Sequence, residues 1–153
     1  MGTKYRGPAA ETRALNAFIK LMRAANSVSG ALARPVADEG GLTMSQFGVL
    51  EALLHLGPMS QGQLCGKLLL SGSNLTTVID NLEKHGLVRR ERLSSDRRVV
   101  EVSLTDKGRS LIARMFPNHA RRITNLFAAL TPKQQDQLAA LCRTLGTSIT
   151  EPV

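Results

Sequence analysis

The sequence is poor in aromatics: one Tyr, four Phe and no Trp, 3% of its 153 residues. A platform that stacks single-stranded bases needs exposed rings, so that mode of binding is excluded. Two cysteines, Cys65 and Cys142, cannot make a disulfide framework. No run of about 18 apolar residues offers a membrane-spanning helix. The opening stretch MGTKYRGPAAETRALN lacks the apolar middle of a signal peptide. Arg6 stands where an acylated N-terminus needs Ser or Thr. The expectation is a reduced, cytoplasmic protein with no membrane association. Thirteen Gly and six Pro are too few for a collagen-like or low-complexity chain. There is also no nucleophile elbow, no glycine-rich phosphate loop, no His-Glu-x-x-His and no Cys pair at metal spacing. Neither an enzyme nor a cofactor is expected.

What is present is positive charge, unevenly spread. Lys plus Arg number 20 against 12 Asp plus Glu, a net +8. Residues 1–34 carry +5, residues 35–83 carry −4, residues 84–122 carry +7, and residues 123–153 balance. The densest part, Lys84 to Arg98, holds six basic residues and two acidic ones. Clustered cations are the footprint of a polyanionic partner, although a solvated basic face gives the same composition.

The hydrophobic pattern has helical period over most of the chain. Leu15, Phe18, Ile19 and Met22 make an apolar stripe on a helix from Glu11 to about Ser29, with Pro35 and Asp38-Glu39-Gly40-Gly41 as breakers. Thr43 caps a second helix carrying Phe47, Leu50, Leu53 and Leu54, stopped by Gly57-Pro58. Ser60 caps a short third helix, Gln61 to about Leu69. Ser71 or Ser73 caps a fourth, which buries Leu75, Val78, Ile79 and Leu82 and ends at His85-Gly86. The period then drops to two. Leu87 to Leu93 and Arg98 to Leu104 read as a hairpin around Ser94-Ser95-Asp96-Arg97. Thr105 opens a fifth helix toward Met115, with Pro117 as break or kink. Thr131-Pro132 opens a last helix to about Leu145, closed by Gly146. The fold class is mainly α with a small β-hairpin wing.

Two short helices, a polar-faced helix and a basic hairpin follow one another in winged helix-turn-helix order. A helix fits the major groove of double-stranded DNA and meets base edges with its N-terminal turns. Here those turns offer Ser71, Ser73, Asn74, Thr76 and Thr77. At the hairpin tip, Arg97 and Arg98 have the length and charge to enter a minor groove. Lys84 and, on the first strand, Arg89, Arg90 and Arg92 are placed to meet phosphates. Each has a plainer reading beside it. Ser71 and Ser73 serve as helix caps, Asn74, Thr76 and Thr77 as an exposed face, and Asp96 with Arg98 as an ion pair shaping the turn.

Three motifs then converge on one family. They are Asp80-Asn81-Leu82-Glu83-Lys84-His85-Gly86-Leu87-Val88-Arg89-Arg90, Asp96-Arg97-Arg98 and Leu104-Thr105-Asp106-Lys107-Gly108. With Leu42 to Leu50 upstream, the chain from about residue 11 to 147 resembles the MarR family of bacterial transcription regulators. The resemblance implies a homodimer held by its first and last helices, each chain presenting one winged helix-turn-helix to half of a palindromic operator. It also implies repression relieved by a small-molecule effector or by oxidation. The domains expected are a dimerisation helix and loop (1–41), a DNA-binding region (42–108) and C-terminal dimerisation helices (109–153). One position departs: where many members carry a long basic residue that reads a base, this chain has Thr77.

Other constellations are thin. Glu51 and His55 lie one helical turn apart, too little for a metal site. His85 reads as a cation at a helix C-terminus or a phosphate contact. Peroxide-sensing members resembling this chain carry a reactive Cys near the N-terminal helix, and neither Cys65 nor Cys142 matches that place. A redox role for either cysteine, or a winged helix serving protein interaction, stands as the alternative. Phe18, Met22, Phe47 and His55 are candidates to line an effector pocket, with core packing the plainer role for the three apolar ones.

Overall fold

Among the described residues, six helices and three short strands make up the computed structural model: α1 Ala9–Gly40, α2 Met44–Leu56, β1 Met59–Ser60, α3 Gln61–Leu68, α4 Gly72–Lys84, β2 Val88–Arg92, β3 Val100–Leu104, α5 Asp106–Phe127 and α6 Pro132–Thr150. It describes every residue except 1, 69, 94, 97 and 151–153, and only the backbone of residue 150. The chain divides into two units, Met1–His119 and Ala120–Val153.

Two expected breaks are absent, and Pro117, expected to break or kink its helix, does not break it. Pro35 lies inside α1, which runs 32 residues rather than stopping near Ser29. An interior proline removes one backbone hydrogen bond and costs about 3 kcal/mol. Here its neighbours Leu32 and Val36 are buried, which holds the turn in place. The helix ends at Gly41, left-handed at φ 64°, whose amide donates to Ala37 O at 2.8 Å. Likewise Pro117 sits within α5, flanked by buried Met115 and His119. Gly146 does not close α6, which continues to Thr150.

The capping signals hold. Thr43 and Gln46 form a reciprocal capping box at the start of α2, and Ser60 with Gln63 does the same for α3. Ser71, not Ser73, caps α4. At its other end Gly86 (φ 69°) allows a Schellman turn, with Leu87 N donating to Leu82 O at 2.9 Å and Gly86 N to Glu83 O at 2.9 Å.

The core of the first unit joins Phe47, Leu50 and Leu53 of α2, Leu64 of α3, Leu75, Ile79 and Leu82 of α4, Val102 of β3 and Ile112 of α5, all at most 1% exposed. The sheet is antiparallel in the order β1-β3-β2, so the expected two-stranded hairpin has a third strand. Met59 pairs with Val102 and Ser60 with Glu101 on one side of β3, while Val88, Arg90 and Arg92 pair with Leu104, Val102 and Val100 on the other. In the second unit, Gln135 Nε2 donates to Phe127 O (3.0 Å) and Leu130 O (3.1 Å), tying the start of α6 to the preceding turn.

Candidate nucleic-acid interface

The rotation of α4 is set by what it buries. Leu75, Ile79 and Leu82 are at most 1% exposed, each contributing about 1.5–3 kcal/mol by removal from water. With that face inward, Ser73, Asn74, Thr76, Thr77, Asp80, Asn81 and Lys84 are exposed. Ser71 Oγ accepts from Asn74 N at 3.3 Å and lies 3.3 Å from Ser73 Oγ. Both threonine hydroxyls donate backwards, Thr76 to Gly72 O (2.9 Å) and Thr77 to Ser73 O (3.2 Å). That bond spends the hydroxyl proton on the helix and leaves lone pairs to accept from a base donor. The side chain of Asn81 donates to Thr77 O at 3.1 Å. His85 is the C-cap residue, its Nδ1 2.7 Å from Asn81 O, which fits its expected place at the helix C-terminus.

The basic residues of the wing differ in what holds them. Arg89 is exposed on the outer face of β2, its Nε donating to Ser103 Oγ (3.1 Å) and 3.2 Å from Glu91 Oε1. Arg90 lies on the opposite face, with Val88, and reaches across to α4. Its Nε and Nη2 donate to Glu83 Oε2 (3.0 and 2.7 Å), Nη2 donates to Asp80 Oδ1 (2.6 Å), and its amide donates to Glu83 Oε1 (3.3 Å). The Glu83 bond chiefly, then Asp80, holds this guanidinium above its usual pKa, against the opposing effect of burial. The sequence motif does not by itself join Arg90 to these carboxylates. Lys84 and Arg98 are exposed. At the turn, the Arg98 amide donates to Asp96 Oδ1 at 3.0 Å, so Asp96 shapes the turn through the backbone of Arg98. Arg97 lies outside the described residues.

The remaining candidates are dispersed. Cys65 is half-buried against the core and Cys142 is exposed on α6. Phe47 is core, its ring 4.3 Å from that of buried His119, and His55 meets Phe116 edge-on at 4.4 Å. Phe18 and Met22, candidates for an effector pocket or for core packing, are 59% and 44% exposed. No group of three His, Cys, Asp or Glu among the described residues could hold a metal ion. No helix there is long and apolar enough to cross a membrane.

Helices α2, α3 and α4 against a three-stranded sheet with a basic hairpin define a winged helix-turn-helix DNA-binding protein. Residues 42–100 match the model of the MarR family. The chain is 40% identical over 134 residues to the HTH-type transcriptional regulator YkoM of Bacillus subtilis, covering 88% of this chain and 86% of that one. It is 31% identical over 134 residues to the regulator MhqR of the same organism, covering 88% and 92%. Among solved structures it is similar to Sco3205, a MarR family transcriptional regulator from Streptomyces coelicolor in complex with DNA. That likeness has a TM-score of 0.85 at 26% identity, over 98% of this chain and 94% of that one. BpsR of Bordetella bronchiseptica, whose DNA binding is regulated by 6-hydroxynicotinic acid, aligns with a TM-score of 0.77 at 27% identity, covering 85% and 98%. The chain belongs to the MarR family: it is a transcriptional regulator that binds DNA, and not an enzyme.

Proposed function

We propose that the protein is a cytoplasmic homodimeric repressor that reads a palindromic operator and is released by a small molecule. The carrying observation is the pair of apolar faces left open on its terminal helices. On α1, Leu15, Phe18 and Met22 are 37–59% exposed, and on α6, Leu138, Leu141, Leu145 and Ile149 are 38–73% exposed, all at helical spacing. Contiguous apolar surface of this kind belongs to an interface. A two-fold dimer presents two copies of α4 to two half-sites, about one DNA turn apart.

In this reading Asn74, Thr76 and Thr77 meet base edges, with Ser71 and Ser73 at the helix start, and Lys84 and Arg89 meet phosphates. Arg98, with Arg97, enters the minor groove. Thr77, short where many relatives are long and basic, shifts discrimination toward the wing and DNA shape. Support for a ligand comes from a cavity of about 290 Å³ in the first unit, walled by Leu42, Leu82, Leu87 and Leu111 with His85 and Lys107 at its side. It is near the lower size of small-molecule sites and abuts the C-terminal end of α4.

Fluorescence anisotropy against the DNA upstream of its own gene, over a salt series and with random duplex as competitor, tests the reading. The expected result is a preference of ~10³ or more with a steep salt slope. Sedimentation is expected to give a dimer at micromolar concentration. Equal affinity for both duplexes, or a monomer, overturns it.

A further inference from the structure

We infer that Arg90 is a positioning residue for DNA reading: shared between Glu83 and Asp80, it fixes the orientation of α4 against the wing strand β2 without itself touching DNA. The apolar face of α4 sets how deeply the helix sits, but apolar packing is non-directional. A guanidinium fork between carboxylates is directional. Arg90 is also anchored from behind, since its pairing partner across the ladder is Val102, a fully buried residue of the central strand. On the helix, Asp80 lies one turn beyond Thr76 and Thr77, and Glu83 one turn beyond Asp80. The clamp therefore grips the same helix side that carries the readers and ties it to the strand leading to the wing tip.

A phosphate role for Arg90 would pull the guanidinium off two carboxylates and leave both facing a polyanion. With a side chain 27% exposed and bonds of 2.6–3.0 Å to both carboxylates, Arg90 is committed to the protein.

The inference rests on α4 being the base-reading helix, and its test separates the two. A duplex selected by the wild-type protein from a random pool is compared with random duplex for the wild type, Glu83→Ala, Arg90→Lys and the double variant. Glu83→Ala raises the net charge by one, so electrostatics alone predicts tighter binding to all DNA. The clamp predicts that preference for the selected duplex falls on the order of tenfold, the discrimination carried by one well-placed base contact, while random-duplex affinity is kept or rises. Arg90→Lys keeps the charge but loses the fork, so it is expected to lose preference with an unchanged salt slope. A phosphate contact would instead survive as lysine. The double variant is expected to lose no more than the worse single one, as for residues acting as a unit. Thermal melts identify any variant that fails to fold, and Glu83→Gln, which keeps one acceptor, then replaces it with a partial loss expected. Wild-type-like preference in Glu83→Ala or Arg90→Lys, or additive losses, overturns the clamp. A wild type that selects no sequence, or selectivity untouched by Thr76→Ala, overturns the reading beneath it.

Discussion

Replacing Gly108 with alanine is the most demanding test of the packing between α4 and α5. Gly108 is buried in the first turn of α5. A Cβ placed there would overlap the Leu87 carbonyl oxygen and lie 2.8 Å from its carbon, a backbone group that cannot swing aside. That carbonyl already accepts from Thr105 N (3.1 Å), while Thr105 Oγ1 accepts from Gly108 N (3.0 Å) and donates to Gly86 O (2.6 Å). Relieving the overlap means moving α5 away from the turn after α4 and loosening those bonds. Overpacking costs about 1–3 kcal/mol, and losing the cap about 1 kcal/mol more. Alanine returns about 0.5–1 kcal/mol through its better helix propensity. The net expectation is a destabilisation of about 1–3.5 kcal/mol, lowering Tm by roughly 2–14 °C for a chain of this size. The assay is chemical and thermal unfolding at a fixed protomer concentration, because a dimer's stability depends on it. Gly66→Ala is the control. Nothing lies within 4 Å of its added Cβ on α3, so the same chemical change is expected to raise stability by about 0.5–1 kcal/mol. A Gly108→Ala protein as stable as wild type would refute the close approach.

Thr105→Ala removes both the cap and the link to Gly86, and is expected to cost about 1–2 kcal/mol in equilibrium unfolding. Leu141→Asp, at a position 70% exposed on α6, is expected to turn a dimer into monomers by sedimentation while leaving each chain helical by circular dichroism. Tyr5, the single tyrosine, donates to Glu11 at 2.7 Å, which raises its pKa above the ordinary 10.0. Because the folded value is the higher one, the contribution is present below the ordinary phenol pKa and lost as pH rises through the folded one. Phenolate absorbance should titrate above the free value and fall toward it in Glu11→Gln.

Local signals were legible where a single residue decides them. Thr43, Ser60, Ser71, Thr105 and Thr131 each sit where a helix begins, and Gly86 where one ends, because capping depends on atoms within a few residues. Pro35, Pro117 and Gly146 do not end their helices, because such signals are equally local. Their local penalty is real, but at Pro35 and Pro117 it is outweighed by the burial of adjoining helix residues such as Val36 and Met115 in a core built from elements distant in sequence. Strand β1 was invisible because two residues carry no period, and only pairing with Val102 and Glu101 makes Met59–Ser60 a strand. The Arg90 clamp has a trace in the sequence. Alternation along β2 puts Arg90 on the face of buried Val88, and a cation on a core-facing side needs a carboxylate to meet it.

The sheet also determines where this protein can change length. Ser60 does two jobs at once: its backbone pairs with Glu101 and its side chain caps α3, so a residue gained or lost beside it would shift both the strand register and the helix start. Beyond the Arg92–Val100 pair one further backbone bond, Leu93 N to Val99 O at 3.1 Å, closes the hairpin, and residues added between those two disturb no strand pairing. Within the sheet, insertions are thus best accommodated at the tip, where, in the proposed reading, extra residues would lengthen the wing's reach along DNA while α4 keeps its seat. On the proposed reading, operator span and base reading could therefore diverge separately as such a protein acquires new target genes.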